Sequence, residues 1–95
     1  PNGVDWTRHL ESAPWDPRQY HEVVAFDDRL WVIGGWTGTR HRNDVWFTTD
    51  GVTWESLERR PWNGRHAIGS FVHQGSLWIA AGYQHRDVWR LDPID

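Results

Sequence analysis

The chain has 95 residues, nine of them Trp and none Cys, with a formal net charge of −3 and ten basic residues that are all Arg. So short a chain buries little core by itself, so repetition or further copies are expected to supply the rest. The missing cysteine excludes a disulfide framework, thiolate metal sites and thiol nucleophiles. Mild negative charge argues against non-specific nucleic-acid binding, and no run approaches the roughly 18 apolar residues of a membrane span or resembles a secretory leader, so neither nucleic acid nor membrane is an expected partner.

Taken in chain order, Val4–Leu10 (VDWTRHL) is the first candidate strand, followed by the Pro-Trp of Pro14-Trp15. His21–Phe26 (HEVVAF) is the second, Asp27-Asp28 with Arg29 a tight turn, and Leu30–Gly35 the next strand. A polar loop, WTGTRHRN from Trp36 to Asn43, leads to a strand at Asp44–Thr48, and the turn TDG leads to another at Thr53–Leu57. Strands at Gly69–His73, Leu77–Gly82 and Asp87–Leu91 complete the series. Runs of β-branched and aromatic residues bounded by Gly, Asp, Asn and Pro carry each assignment, and together they predict an all-β fold.

The elements repeat. From Trp15 to Gly35 a second copy follows at an offset of 47 residues, pairing Trp15 with Trp62, Arg18 with Arg65 and Trp31 with Trp78. DVWF at 44–47 then matches DVWR at 87–90 at an offset of 43, which places a four-residue deletion in the second copy's loop. The second copy lacks a fourth strand. VDWTRHL supplies one out of order, because its Trp6 corresponds to Trp54 of VTWESL. The division is therefore residues 4–10 as an outer strand for a neighbouring unit, 21–57 as a complete four-stranded unit, and 66–91 as three strands of a second.

An apolar strand ending in Gly34-Gly35, then NDVW at 43–46, then a Trp in the following strand, at a period near 50, resembles the kelch repeat of β-propellers. TTDGVTW at 48–54 also resembles an Asp-box turn, one residue short. The resemblance spans nearly the whole chain and implies a β-propeller fold with two four-stranded blades per chain. Two blades leave apolar faces and a sheet edge open. The expected closure is homo-oligomeric, with Val4–Leu10 completing the last blade of another copy. Six blades as a trimer are the first expectation and eight as a tetramer the second. A propeller fragment, excised or engineered, that assembles without any ligand is the alternative.

In such a blade the connections from strand four to one and from two to three emerge on one face, here rich in Arg, His and Trp, while the opposite face carries Asp. An anionic or carbohydrate-like ligand suits the first face, through bidentate Arg donors and aromatic stacking. The candidate ligand-binding residues are Trp36, Arg40, His41, Arg42, Tyr83, His85, Arg86, Arg18 and Arg65. Arg18 and Arg65 recur at equivalent positions and fit inter-blade packing better than binding. Arg40, His41 and Arg42 belong to the longer loop and are not demanded by the repeat. No metal or other cofactor is expected, since RHR at 40–42 and QHR at 84–86 lack a second ligand at a defined distance. No catalytic residue is expected either. Galactose oxidase, a kelch-type propeller enzyme, needs a Cys this chain lacks, and the Tyr-Glu pairing of sialidases is poorly matched.

Overall fold

The computed structural model describes residues 3–94. Two antiparallel meanders account for all strands among them. The first sheet runs β1 (Glu22–Phe26), β2 (Arg29–Trp36), β3 (His41–Thr48) and β4 (Glu55–Ser56) in sequence order. The second runs β5 (Gly69–His73), β6 (Ser76–Ala80) and β7 (Val88–Leu91). Residues 4–10 form no strand in the single chain, and Trp6 is 92% exposed.

Each sheet starts with the same tight hairpin. Phe26 pairs with Arg29 and His73 with Ser76, so each loop has two residues. Both residues of each loop have positive φ: Asp27 and Asp28 at 56° and 54°, Gln74 and Gly75 at 50° and 78°. That combination defines a type I′ turn, whose twist matches that of the flanking strands. The turn after β3 is built differently. The Asp50 carboxylate accepts the Val52 and Thr53 backbone N–H groups, both at 2.8 Å, while Thr48 Oγ1 accepts Gly51 N–H at 2.9 Å and lies 2.7 Å from the Thr53 carbonyl oxygen. Because this Asx turn occupies Thr53, β4 begins only at Glu55, two residues later than the sequence predicts.

Alternation assigns the faces. Val24, Phe26, Trp31, Ile33, Val45 and Phe47 lie on one face of the first sheet, packed against Ile68, Leu77, Ile79, Trp89 and Leu91 of the second unit. Trp31 has no exposed surface, and its indole N–H donates to the Phe26 carbonyl at 2.8 Å. At the offset of 47, Trp78 donates to the His73 carbonyl at 3.3 Å and stacks on Phe71, yet it is only half-buried because no third sheet covers it. The sheet-to-sheet contact is thus made once, leaving one face of each kind open: Val23 and Leu30 on the first sheet, Phe71 and Val88 on the second.

The connection between the sheets is threaded into the first. Gly35 N–H donates to Arg65 O at 2.8 Å, Arg65 N–H to Arg42 O at 3.0 Å and Ala67 N–H to Tyr20 O at 2.7 Å. Gly34 makes room for this connection. A β-carbon on it would lie 2.7 Å from Ile68 Cδ1 and 2.8 Å from Arg65 O, and its φ of +61° lies in the left-handed region. In the second copy the equivalent residue is Ala81, with φ 60°.

Candidate functional site

Two arrangements occupy the end of the sheets where β2 leads to β3. The first is an Arg–Asp–Trp set made twice. Arg18 forks onto Asp44 with bonds of 2.6 and 3.0 Å, donates to Gly34 O at 3.1 Å and to Asp16 O at 3.2 Å, and Trp46 Nε1 donates to the same carboxylate at 2.8 Å. Arg65 forks onto Asp87 at 2.6 and 3.0 Å, donates to Ala81 O and Asn63 O at 3.1 Å each, and Trp89 Nε1 donates to Asp87 at 2.8 Å. Both Arg side chains are only 1% exposed.

These bonds set the charges. Burial works against an ionised Asp44, but hydrogen bonds from Arg18 and Trp46 and the charges of Arg18 and Arg42 outweigh it and hold the carboxyl below its ordinary value. Hydrogen bonds from Arg65 and then Trp89 hold Asp87 well below the carboxylate range. Of the ligand candidates, Arg18 and Arg65 are therefore closed off from solvent, their planar donors filled by the protein's own carboxylates and carbonyls.

The second arrangement is an aromatic and imidazole cluster across the seam between the two sheets. His41 Nδ1 lies 3.0 Å from His66 Nδ1, with the two rings within 3° of parallel. The Tyr83 ring centre is 4.1 Å from that of His41 and 5.0 Å from that of His66. Trp36 stands 4.6 Å from His41, and Tyr20 stands 5.6 Å from His66. Desolvation first, then the positive potential of His66 and His85, pushes the His41 imidazole below its ordinary value of 6.5.

Three sequence candidates, Trp36, His41 and Tyr83, are thus brought together. His85, whose charge reaches His41, donates its backbone N–H to Gly82 O at 2.9 Å. Arg40 and Arg86 are exposed on the two connections. His41 and Arg42 are not loop residues, contrary to the sequence reading, because β3 starts at His41 and pairs it with Trp36, and Arg42 with Gly35. The Arg42 side chain is half-buried near Asp16 and Asp44, both at 3.9 Å, with Nε lacking a hydrogen-bond partner. His66, the centre of the cluster, is not among the sequence candidates. At the offset of 47 it falls opposite Gln19, so the repeat carries no signal for it.

Among the described residues no three or more His, Asp or Glu side chains gather to hold a metal ion. What the cluster offers is two exposed tyrosine faces, an indole, imidazoles and flanking Arg, a surface suited to stacking and hydrogen bonding.

Comparison with known proteins places this geometry. The chain is 29% identical over 103 aligned residues to the leucine-zipper-like transcriptional regulator 1 homolog of Drosophila melanogaster. That alignment covers 92% of this chain and 10% of that protein, so the chain spans about a tenth of its relative's length. Residues 17–46 match the Kelch motif. They run from the Arg18 fork through β1 and β2 to Trp46, the indole that completes the same fork. The chain therefore carries a kelch motif at 17–46, folded into the first of two antiparallel sheets.

Proposed function

We propose that the chain is a two-bladed unit of a β-propeller that closes with further copies of itself, three for six blades or four for eight. The closed form acts as a binding module, not an enzyme, for an anionic or carbohydrate-like ligand on the face bearing Trp36, His41, Tyr83, Arg40 and Arg86. The supporting observation is that the two open faces are the two halves of the interface already made inside the chain. Phe71, Trp78 and Val88 occupy the positions that Val24, Trp31 and Val45 use to cover the second sheet. A heterologous contact of this kind propagates and closes into a ring when its rotation permits.

A tryptophan set supports the same reading. In the first blade Trp15 sits 6.0 Å from Trp46 and 4.6 Å, edge-on, from Trp54. In the second, Trp62 sits 6.1 Å from Trp89 at a similar tilt, with no third indole, and the buried Trp62 Nε1 has no hydrogen-bond partner. Trp6, the sequence counterpart of Trp54, is exposed. Residues 4–10 of one copy added to the β7 edge of another supply that third indole.

Mass in solution by native mass spectrometry or light scattering tests this. A trimer or tetramer is expected, and a stable monomer at micromolar concentration overturns the reading. Trp6→Ala is expected to cost the assembly about 2 kcal/mol or more, a roughly thirtyfold or greater loss in association, because a buried interface tryptophan carries that much. For the ligand, Arg40→Ala and Arg86→Ala are expected to weaken binding of a sulfated oligosaccharide probe, read by calorimetry, while leaving the oligomer mass unchanged.

A further inference from the structure

We propose that His41 and His66 form a proton-operated clasp between the two blades, held by one shared proton and released when acid protonates both facing nitrogens. His41 belongs to β3 of the first blade, His66 to the connection entering the second, and their Nδ1 atoms face each other at 3.0 Å. At that distance one nitrogen must donate and the other accept, so the neutral pair holds one Nδ1 proton and one bare Nδ1. A first added proton goes to the far nitrogen of the donor ring and leaves the bond intact, now charge-assisted. A second one turns the acceptor into a donor. Two imidazolium N–H groups then point at each other across 3.0 Å, and the contact cannot persist.

The surroundings strengthen this behaviour. The charges reaching His41 are those of His66 and His85, both imidazoles that become positive in acid. Arg40 and Arg42 flank it on β3, and Tyr83 and Arg86 lie on the connection that also carries His85. Tyr20 packs on His66 from the segment before β1, with His21 beside it. Two carboxylates near this end are already committed, Asp44 to Arg18 and Asp87 to Arg65. Burial and like charge hold His41 below 6.5, so the chain unfolded takes up this proton before the folded chain does. The contribution to stability is therefore present in full above about pH 6.5 and is lost as pH falls from there toward the folded value.

Release would separate Tyr83 from His41 and split the aromatic floor of the proposed binding face. That consequence rests on the proposed function, whereas the clasp itself does not. Long-range proton–nitrogen NMR of the imidazoles in the natural chain, from pH 8 to 4.5, tests it. The expected result is one protonated and one bare Nδ1 through neutral pH. A separate acidic step then protonates both, and the Tyr83–His41 contacts disappear in that step. Independent one-step titration of the two residues, or contacts surviving double protonation, overturns the proposal. A second measurement follows the unfolding constant between pH 6.5 and 5 in the natural chain and in His41→Gln and His66→Gln, where the amide retains a hydrogen bond. One deferred proton makes the natural chain steeper, by up to about tenfold per pH unit. Equal slopes in all three proteins also overturn it, and if the variants do not fold the NMR titration decides.

Discussion

Asp44→Ala is expected to destabilise the chain by about 3 kcal/mol, the low end of the cost of breaking a buried ion pair, because Arg18 keeps a second carboxylate, Asp16, at 2.6 Å. The Arg18 side chain is 1% exposed, its remaining bonds go to two backbone carbonyls and to Asp16 at the rim, and the same substitution removes the acceptor of the Trp46 indole. For a domain whose total stability is of order 5–10 kcal/mol, that loss is a large fraction of the total, readable by chemical denaturation. Removing both charges together, as Arg18→Met with Asp44→Leu, is expected to cost less, because it leaves no buried guanidinium balanced only by Asp16 at the rim. A double variant as unstable as Asp44→Ala would show that the fork's directional bonds, not its charge balance, hold the strand ends. Asp87→Ala is expected to be milder, since Asp87 is more exposed than Asp44 and water can reach the freed end of Arg65. Acid acts in the same direction. With its folded value depressed, Asp44 contributes stability above about pH 3.9, the ordinary unfolded value, and loses it as pH falls through the folded one.

Trp31→Ala is expected to cost about 3–5 kcal/mol, while Trp78→Ala in a dilute single chain costs roughly half of that. The two indoles occupy the same place in the same hairpin and make the same bond to the carbonyl five residues back. Only the cover differs. Trp31 lies under the second sheet, and the outer face of Trp78 meets solvent and the Arg90 guanidinium 5.8 Å away. The difference between the two variants therefore isolates what one blade gains from the next. If copies assemble, the cost of Trp78→Ala rises with protein concentration toward that of Trp31→Ala, and denaturation midpoints at two concentrations measure it. A concentration-independent gap would count against assembly through this face.

Much of the fold could be read in advance because a repeat states each position twice. The offset of 47 fixed the pairs Trp31 with Trp78 and Arg18 with Arg65, and β-branched and aromatic runs bounded by turn residues, as in HEVVAF and LWVIGG, marked strands. What escaped was contact across the change of offset. Arg18 and Asp44 recur as Arg65 and Asp87 with a spacing shorter by four, so no constant-period comparison links them, although their joint recurrence was the available clue. RHRN at 40–43 reads as a polar loop because its strand partners are a bulged glycine pair and an indole, and because the Arg65 backbone, far along the chain, ties down Arg42. His66 was illegible for another reason: the first copy has glutamine there, and only the threading of the inter-blade connection carries it to His41.

Ala81 bears on the symmetry of any closed form. Where Gly34 leaves a gap that the backbone of Arg65 fills, Ala81 presents a methyl group to whatever comes next. In the proposed assembly, the repeat puts the Arg18–His21 stretch of a following copy there. A ring of such chains then has two alternating kinds of joint: a tight one inside each chain, where bare backbone meets backbone, and a wider one between chains, where a methyl must be accommodated. Alternate seams of unequal width would give an axial opening with the symmetry of the chain count instead of the blade count, and the between-chain joints would be where it first comes apart.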